Sequence, residues 1–143
     1  METDSGLRTR APGRGAYRSA VHKALAGGGF DDIPRNGSYV LSAIAHGGAP
    51  LSDVIAHLGV SKQAAGQLVD TLVVRGYLER AMDLSDRRRL VVSLTERGSA
   101  AAAVVRTAVD AVDVALETQI GAERMTDIRW TLAVLASLGG DHA

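Results

Sequence analysis

The chain contains no cysteine among its 143 residues. That excludes disulfides, thiolate metal ligands and any switch based on thiol oxidation. Aromatic residues are almost as scarce. Tyr17, Phe30, Tyr39, Tyr77 and Trp130 are the full set, so Ala, Val and Leu must fill the core. Small aliphatic side chains at that density favour closely packed helices. No apolar run reaches the roughly 18 residues needed to span a bilayer, and the apolar stretch Ala100–Val105 is followed at once by Arg106, Asp110 and Asp113. The first eight residues lack the apolar core of a signal peptide, so a cytoplasmic protein without a membrane partner is expected. His22, His46, His57 and His142 are scattered with no metal-ligand spacing. No metal and no cofactor is expected.

Catalytic signals are missing as well. No Gly-x-x-x-x-Gly-Lys phosphate loop occurs, and Gly27-Gly28-Gly29 lacks the flanking strand and helix of a dinucleotide site. No Ser, His or Asp sits in a recognisable catalytic setting. The composition points away from an enzyme.

Net charge is also absent: 16 Lys and Arg balance 16 Asp and Glu. The distribution is uneven, however. Residues 33–106 hold nine basic and six acidic side chains, whereas residues 107–143 hold two and six. A basic middle joined to an acidic end suggests that one face meets a polyanion.

What is present is a sequence of short helical segments. Residues 1–15, with Arg8, Arg10 and Arg14 among Gly, Pro and Thr, read as a mobile basic arm. A short helix within 16–32 follows, carrying Tyr17, Val21 and Leu25 and stopped by the three glycines. Pro34 opens a second helix, roughly Arg35 to His46, with Tyr39, Leu41 and Ile44 available to pack. Ser52 caps a third, with Val54, Ile55 and Leu58 as its apolar stripe and Gly59 as a left-handed stop. Ser61 caps a fourth, running to about Arg75 before Gly76.

Two short helices joined by a glycine-containing turn have the form of a helix-turn-helix. In the second of them, Ala65, Leu68, Val69 and Leu72 face inward at spacings of three and four. Lys62, Gln63, Ala64, Gly66, Gln67 and Thr71 then face outward. Tyr77–Met82 and Leu90–Leu94 read as a hairpin, and the loop between them carries Asp83, Asp86, Arg87, Arg88 and Arg89. A hairpin directly behind a helix-turn-helix is a wing. Thr95-Glu96-Arg97-Gly98 then launches a long helix with Val105, Val109, Val112, Leu116 and Ile120 on one stripe. After Gly121, a last helix carries Met125, Ile128, Leu132, Leu135 and Leu138. Together these two helices have more apolar face than the wing module can cover, and a second subunit could bury the surplus.

At this point the sequence resembles the MarR family of bacterial regulators. The resemblance is densest over Leu58–Arg80 and over Asp83–Gly98, where an Asp-Arg-Arg wing precedes Leu-Thr-x-x-Gly. It implies a dimeric transcriptional repressor or activator with the helix Ser61–Arg75 in the major groove and the wing tip near the minor groove. It also implies a crevice for a small-molecule effector, for which Tyr39, His46 and Trp130 are candidate lining residues beside the alternative of ordinary core packing. The segment before Gly27 looks shorter than the first helix of relatives.

The expected fold is mainly α with a small β-hairpin wing: an arm (1–15), a short helix of the dimer region (16–32), a winged helix-turn-helix (33–98) and dimerisation helices (99–143). The residues expected at DNA are Ser61, Lys62, Gln63, Ala64, Gly66, Gln67 and Thr71 on the helix, with Arg87, Arg88, Arg89 and Asp86 on the wing. Gln63 and Gln67 lie one turn apart, and a glutamine amide can pair with the adenine edge. An arginine at the tip can enter a narrow A·T-rich minor groove. Val105, Val109, Val112, Leu116, Ile128, Leu132 and Leu135 are expected at a homodimer interface. The competing reading is a winged helix serving only as a protein-interaction scaffold. Polar, slim side chains on the recognition helix and three tip arginines favour DNA.

Overall fold

A computed structural model describes residues 12–45, 49–88 and 90–139. Its elements run α1 (Pro12–Gly27), α2 (Gly37–Ile44), β1 (Ala49–Pro50), α3 (Leu51–Leu58), α4 (Lys62–Val74), β2 (Leu78–Met82), β3 (Leu90–Leu94), α5 (Glu96–Ile120) and α6 (Ala122–Gly139). Arg8, Arg10, His46, Arg89 and His142 lie outside the described residues. Among the described residues no helix is long and apolar enough to cross a membrane.

Helix ends follow local chemistry. Ser61 is extended (φ −61°, ψ 151°) and its Oγ accepts the Ala64 N–H at 3.1 Å, as its side-chain type predicts. Thr95 caps α5 in the same way, accepting the Gly98 N–H at 3.0 Å. Gly59 stops α3 at a φ of 64°.

Three boundaries depart from expectation. The arm does not extend to residue 15, because α1 already begins at Pro12. Proline suits a first helical position, where its ring presets φ and its missing N–H would have had no partner. Ser52 lies inside α3 rather than capping it, since the helix starts at Leu51 directly after the strand residue Pro50. The second helix starts at Gly37, not Arg35. Residues 34–37 form a turn closed by the Gly37 N–H on the Pro34 carbonyl at 2.8 Å, with Asn36 left-handed at φ 67° and ψ −2°. Asn tolerates that conformation at the third position of a type II turn.

The sheet has three antiparallel strands in the order β1-β3-β2. Leu78 pairs with Leu94 and Met82 with Leu90, while Ala49 pairs with Val92. The two-residue β1 has no strand pattern of its own. Pairing with β3 creates it.

The core joins α1 (Val21, Leu25), α2 (Val40, Leu41, Ile44), α4 (Val69, Leu72), the start of the wing (Tyr77, Leu78, Val92) and α5 (Ala101, Ala102, Val105, Ala108). Ala65 is buried too, while Leu68 is only partly buried at its edge. Helix α1 packs along α5, and Tyr17 donates to Asp113 Oδ1 at 2.5 Å between them. That bond is the chief reason the Tyr17 hydroxyl titrates above its ordinary range. Tyr39 does not pack as expected: it is exposed, and its neighbour Val40 fills the core instead. Among the described residues no polar or charged side chain is buried apart from Tyr77, whose hydroxyl is hydrogen-bonded.

Candidate nucleic-acid interface

Helix α4 presents one apolar and one polar side. Ala65, Val69 and Leu72 are buried, which leaves Lys62, Gln63, Ala64 and Gln67 exposed and Gly66 and Thr71 half-buried. The Ser61 hydroxyl accepts the Ala64 N–H, so its own proton is available to a phosphate beside the positive end of the helix. Thr71 instead donates back to the Gln67 carbonyl at 2.9 Å. Its hydroxyl proton is spent inside the helix, leaving its oxygen and methyl for any outside contact.

The wing tip is shaped by two successive Asx turns. Asp83 Oδ1 accepts from the Ser85 N–H at 2.9 Å and from the Ser85 hydroxyl at 2.7 Å. Asp86 Oδ1 accepts the Arg88 N–H at 3.0 Å. Both contacts run from residue i to i+2, the local bond that makes Asp a turn former. Asp86 is thus engaged with backbone, and it holds the loop that carries the exposed Arg87 and Arg88.

Several contacts fix the wing relative to the helix. Arg80 on β2 donates to Asp70 on α4, an ion pair across the two elements. Thr95 donates its hydroxyl proton to the Gly76 carbonyl, and its N–H binds the Tyr77 carbonyl at 3.1 Å. Gly98 sits so close to that carbonyl that a Cβ would lie 1.9 Å from its oxygen. The Leu-Thr-x-x-Gly run therefore has a physical basis: threonine caps α5 and ties down the turn before the wing, and only glycine lets α5 approach that turn.

Sequence reasoning missed a polar cluster behind α4. Asp32, in the loop after α1, accepts from the Tyr77 hydroxyl and from Arg97 Nη2 at 3.0 Å. Arg97 also donates to the Tyr77 hydroxyl at 2.8 Å and lies 4.5 Å above its ring. The Tyr77 bond and, behind it, the Arg97 charge hold the Asp32 carboxyl below its ordinary value. Burial, and then the bond to Asp32, raise Tyr77. No local pattern could have found this cluster, since Asp32 and Tyr77 are 45 residues apart.

A cleft of about 750 Å³ opens between α1, α2 and α5. Its floor includes Val21, Leu25 and Ile33, and Arg18, His22, Arg35, Tyr17 and Tyr39 stand around it. Tyr39 is among the residues that line this cleft. Trp130 is 70% exposed on α6 rather than packed in the core, and it is no part of that lining.

The residues named for an intersubunit surface divide. Val105 is buried in the chain's own core and Val109 packs against it, because α1 covers that stretch of α5. Val112 and Leu116 are half-buried. On α6 only Met125 is buried, while Leu132, Leu135 and Leu138 are 59%, 58% and 63% exposed and Ile128 is at the margin of exposure.

No curated protein matches the chain. Among solved structures, FabT of Streptococcus pneumoniae in complex with DNA superposes with a TM-score of 0.71 at 20% identity, covering 92% of this chain and 91% of that one. NadR in complex with 4-hydroxyphenylacetate gives 0.72 at 22% identity, with 95% and 98% covered. Wild-type MarR from E. coli gives 0.64 at 21% identity, with 85% and 90% covered. At such identities the likeness establishes the fold. In sequence, the model of the MarR family matches residues 31–89, the segment from the loop before α2 to the wing tip. The chain thus has the fold of the MarR-type structures, and its winged-helix segment is similar in sequence to the MarR family.

Proposed function

We propose that the protein is a sequence-specific DNA-binding regulator acting as a homodimer in the cytoplasm, with each recognition helix in a major groove and each wing at the flanking minor groove. One observation carries the reading. The exposed side of α4, with Gln63 and Gln67 one turn apart, shares the module with a wing tip whose Asp83 and Asp86 turns hold Arg87 and Arg88 out to solvent. The major groove offers a distinct donor and acceptor pattern for each base pair, and a narrow minor groove attracts arginine. The exposed leucines of α6 supply the apolar surface that a second copy would cover. Repression is the simpler mode for such a dimer, since occupancy of the site is itself the signal.

The cleft supports release by a small ligand. An apolar floor with Arg18 and Arg35 at its side suits a small aromatic carboxylate, the class to which the ligand of the structurally similar NadR belongs.

Selection from a randomised duplex pool tests the reading. A near-palindrome with half-sites about one helical turn, roughly 34–36 Å, apart supports the dimer on DNA. Recovery of no sequence, with binding only at low salt, moves the interaction-scaffold reading to the front.

A further inference from the structure

Helices α1 and α4 end in the same motif. After α4, Gly76 (φ 80°) donates to the Val73 carbonyl at 3.0 Å and Tyr77 to the Leu72 carbonyl at 2.9 Å. After α1, Gly29 (φ 84°) donates to Ala26 at 3.3 Å and Phe30 to Leu25 at 2.8 Å. These are Schellman caps, in which a left-handed glycine turns the chain so that the next residue satisfies a helix carbonyl. In both, that next residue is aromatic, and the Phe30 and Tyr77 rings meet at 6.2 Å and 59°.

Two residues beyond Phe30, Asp32 binds the end of α4 twice. Its carboxylate takes the Tyr77 hydroxyl, and its backbone carbonyl takes Arg75, the C-cap of α4. The same carboxylate oxygen takes Arg97 from the first turn of α5. The next four residues, Ile33 to Asn36, form one wall of the cleft. A single residue thus joins cleft wall, recognition-helix terminus and α5.

We propose that Asp32 is a positioning residue for DNA recognition, fixing the end of α4 to the cleft wall so that the state of the cleft sets the angle at which the helix docks. This rests on the DNA-binding reading above. The Asp32–Arg97 ion pair by itself adds little to stability, because its two side chains are 42% and 44% exposed. The outward side of α4 must stay clear for DNA, so its orientation has to be held from behind. Through the Asp70–Arg80 pair the wing follows the same helix.

The test compares the parent with Asp32→Ala and Tyr77→Phe, each with and without the cleft-filling Ser38→Phe (Ser42→Phe if Ser38→Phe does not fold). Binding is measured on the duplex selected by the parent. Asp32→Ala is expected to weaken binding at least tenfold, with Tyr77→Phe weaker in the same sense and the slope of log affinity against log salt unchanged. Removing a negative charge near DNA would by itself strengthen binding, so the expected sign opposes the trivial charge effect. Affinity within twofold of the parent, or a flatter slope, overturns the proposal. Ser38→Phe is expected to alter affinity at least fivefold in the parent and less than twofold beside Asp32→Ala, the signature of coupled sites. Equal effects in both backgrounds, or none in the parent, overturn the coupling. Amide exchange over residues 72–77 decides on the clasp without DNA: Ser38→Phe must shift protection there only when Asp32 is present. A parent that selects no sequence would instead overturn the DNA-binding reading, with the exchange result still deciding on the clasp.

Discussion

The carbonyl oxygen of Tyr77 occupies the space that the Cβ of any other residue at Gly98 would need, only 1.9 Å from its ideal position. The atom in the way is backbone, held by the Thr95 N–H at 3.1 Å, so no side-chain rotation relieves the clash. Gly98→Ala should therefore destabilise the fold by about 3 kcal/mol, the upper range for overpacking. Urea denaturation measures it. A loss below about 0.5 kcal/mol, the scale of an ordinary surface change, would mean that α5 does not approach the turn so closely.

Arg87 and Arg88 stand exposed on a loop that their neighbours Asp83 and Asp86 shape through backbone bonds. Replacing both arginines with Ala should leave thermal stability unchanged. It should weaken DNA binding and reduce the salt slope by roughly 2, as two phosphate-region charges cease to displace counterions. Titrations at several salt concentrations check this, and an unchanged slope would remove the wing from the interface.

Gly66 lies inside α4, yet a Cβ built there meets nothing within 4 Å. The fold has no steric need for glycine at this position, and a helical glycine costs about 0.5–1 kcal/mol relative to alanine. Gly66→Ala should then stabilise the free protein by about that amount while weakening DNA binding, because the added methyl enters the gap left for the base edges. Gln63→Ala and Gln67→Ala should each relax preference at one position per half-site, by about 1–3 kcal/mol. Selection with each variant reads both effects, and equal binding by Gly66→Ala would mean the gap is not used.

Leu132 and Leu135 are exposed on α6. Replacing both with Glu should convert the proposed dimer to a monomer without unfolding the winged module, whose core uses neither residue. Sedimentation velocity together with circular dichroism separates the cases. A variant with the parent's mass would place the interface elsewhere.

Asp32 titrates below its ordinary value because Tyr77 and Arg97 donate to its charged form. A carboxyl lowered in the folded state contributes stability above its unfolded pKa, and that contribution is lost as pH falls through the folded one. Tyr77 is raised, so its contribution holds at neutral pH and is lost only as alkaline pH passes its folded value. Asp32→Asn should accordingly flatten the acid side of the stability profile below about pH 4 and leave its slope near neutrality unchanged. Urea midpoints measured across that range check the sign.

Much of this molecule is legible from residue order alone, because the determinants are local. Ser61 and Thr95 announce helix starts through a side-chain oxygen three residues before the N–H it accepts, and Gly59 and Gly76 announce stops. The spacing of Ala65, Val69 and Leu72 fixes which side of α4 turns inward and so which residues remain outside. Asp83, Asp86 and the arginines between two apolar runs mark a hairpin tip. All of these depend on neighbours within about four positions.

What tertiary structure alone decided depends on distant partners. Strand β1 exists because β3 offers a ladder to Ala49 and Pro50. Val105 belongs to the chain's own core rather than to the outer face of α5 because α1 lies along it, which a helical period cannot reveal. The need for Gly98 arises from a carbonyl 21 positions earlier, and the Asp32 cluster gathers residues from three separate segments of the chain. Periodicity states which way a side chain points along its own helix; only the packed chain states what stands there to meet it.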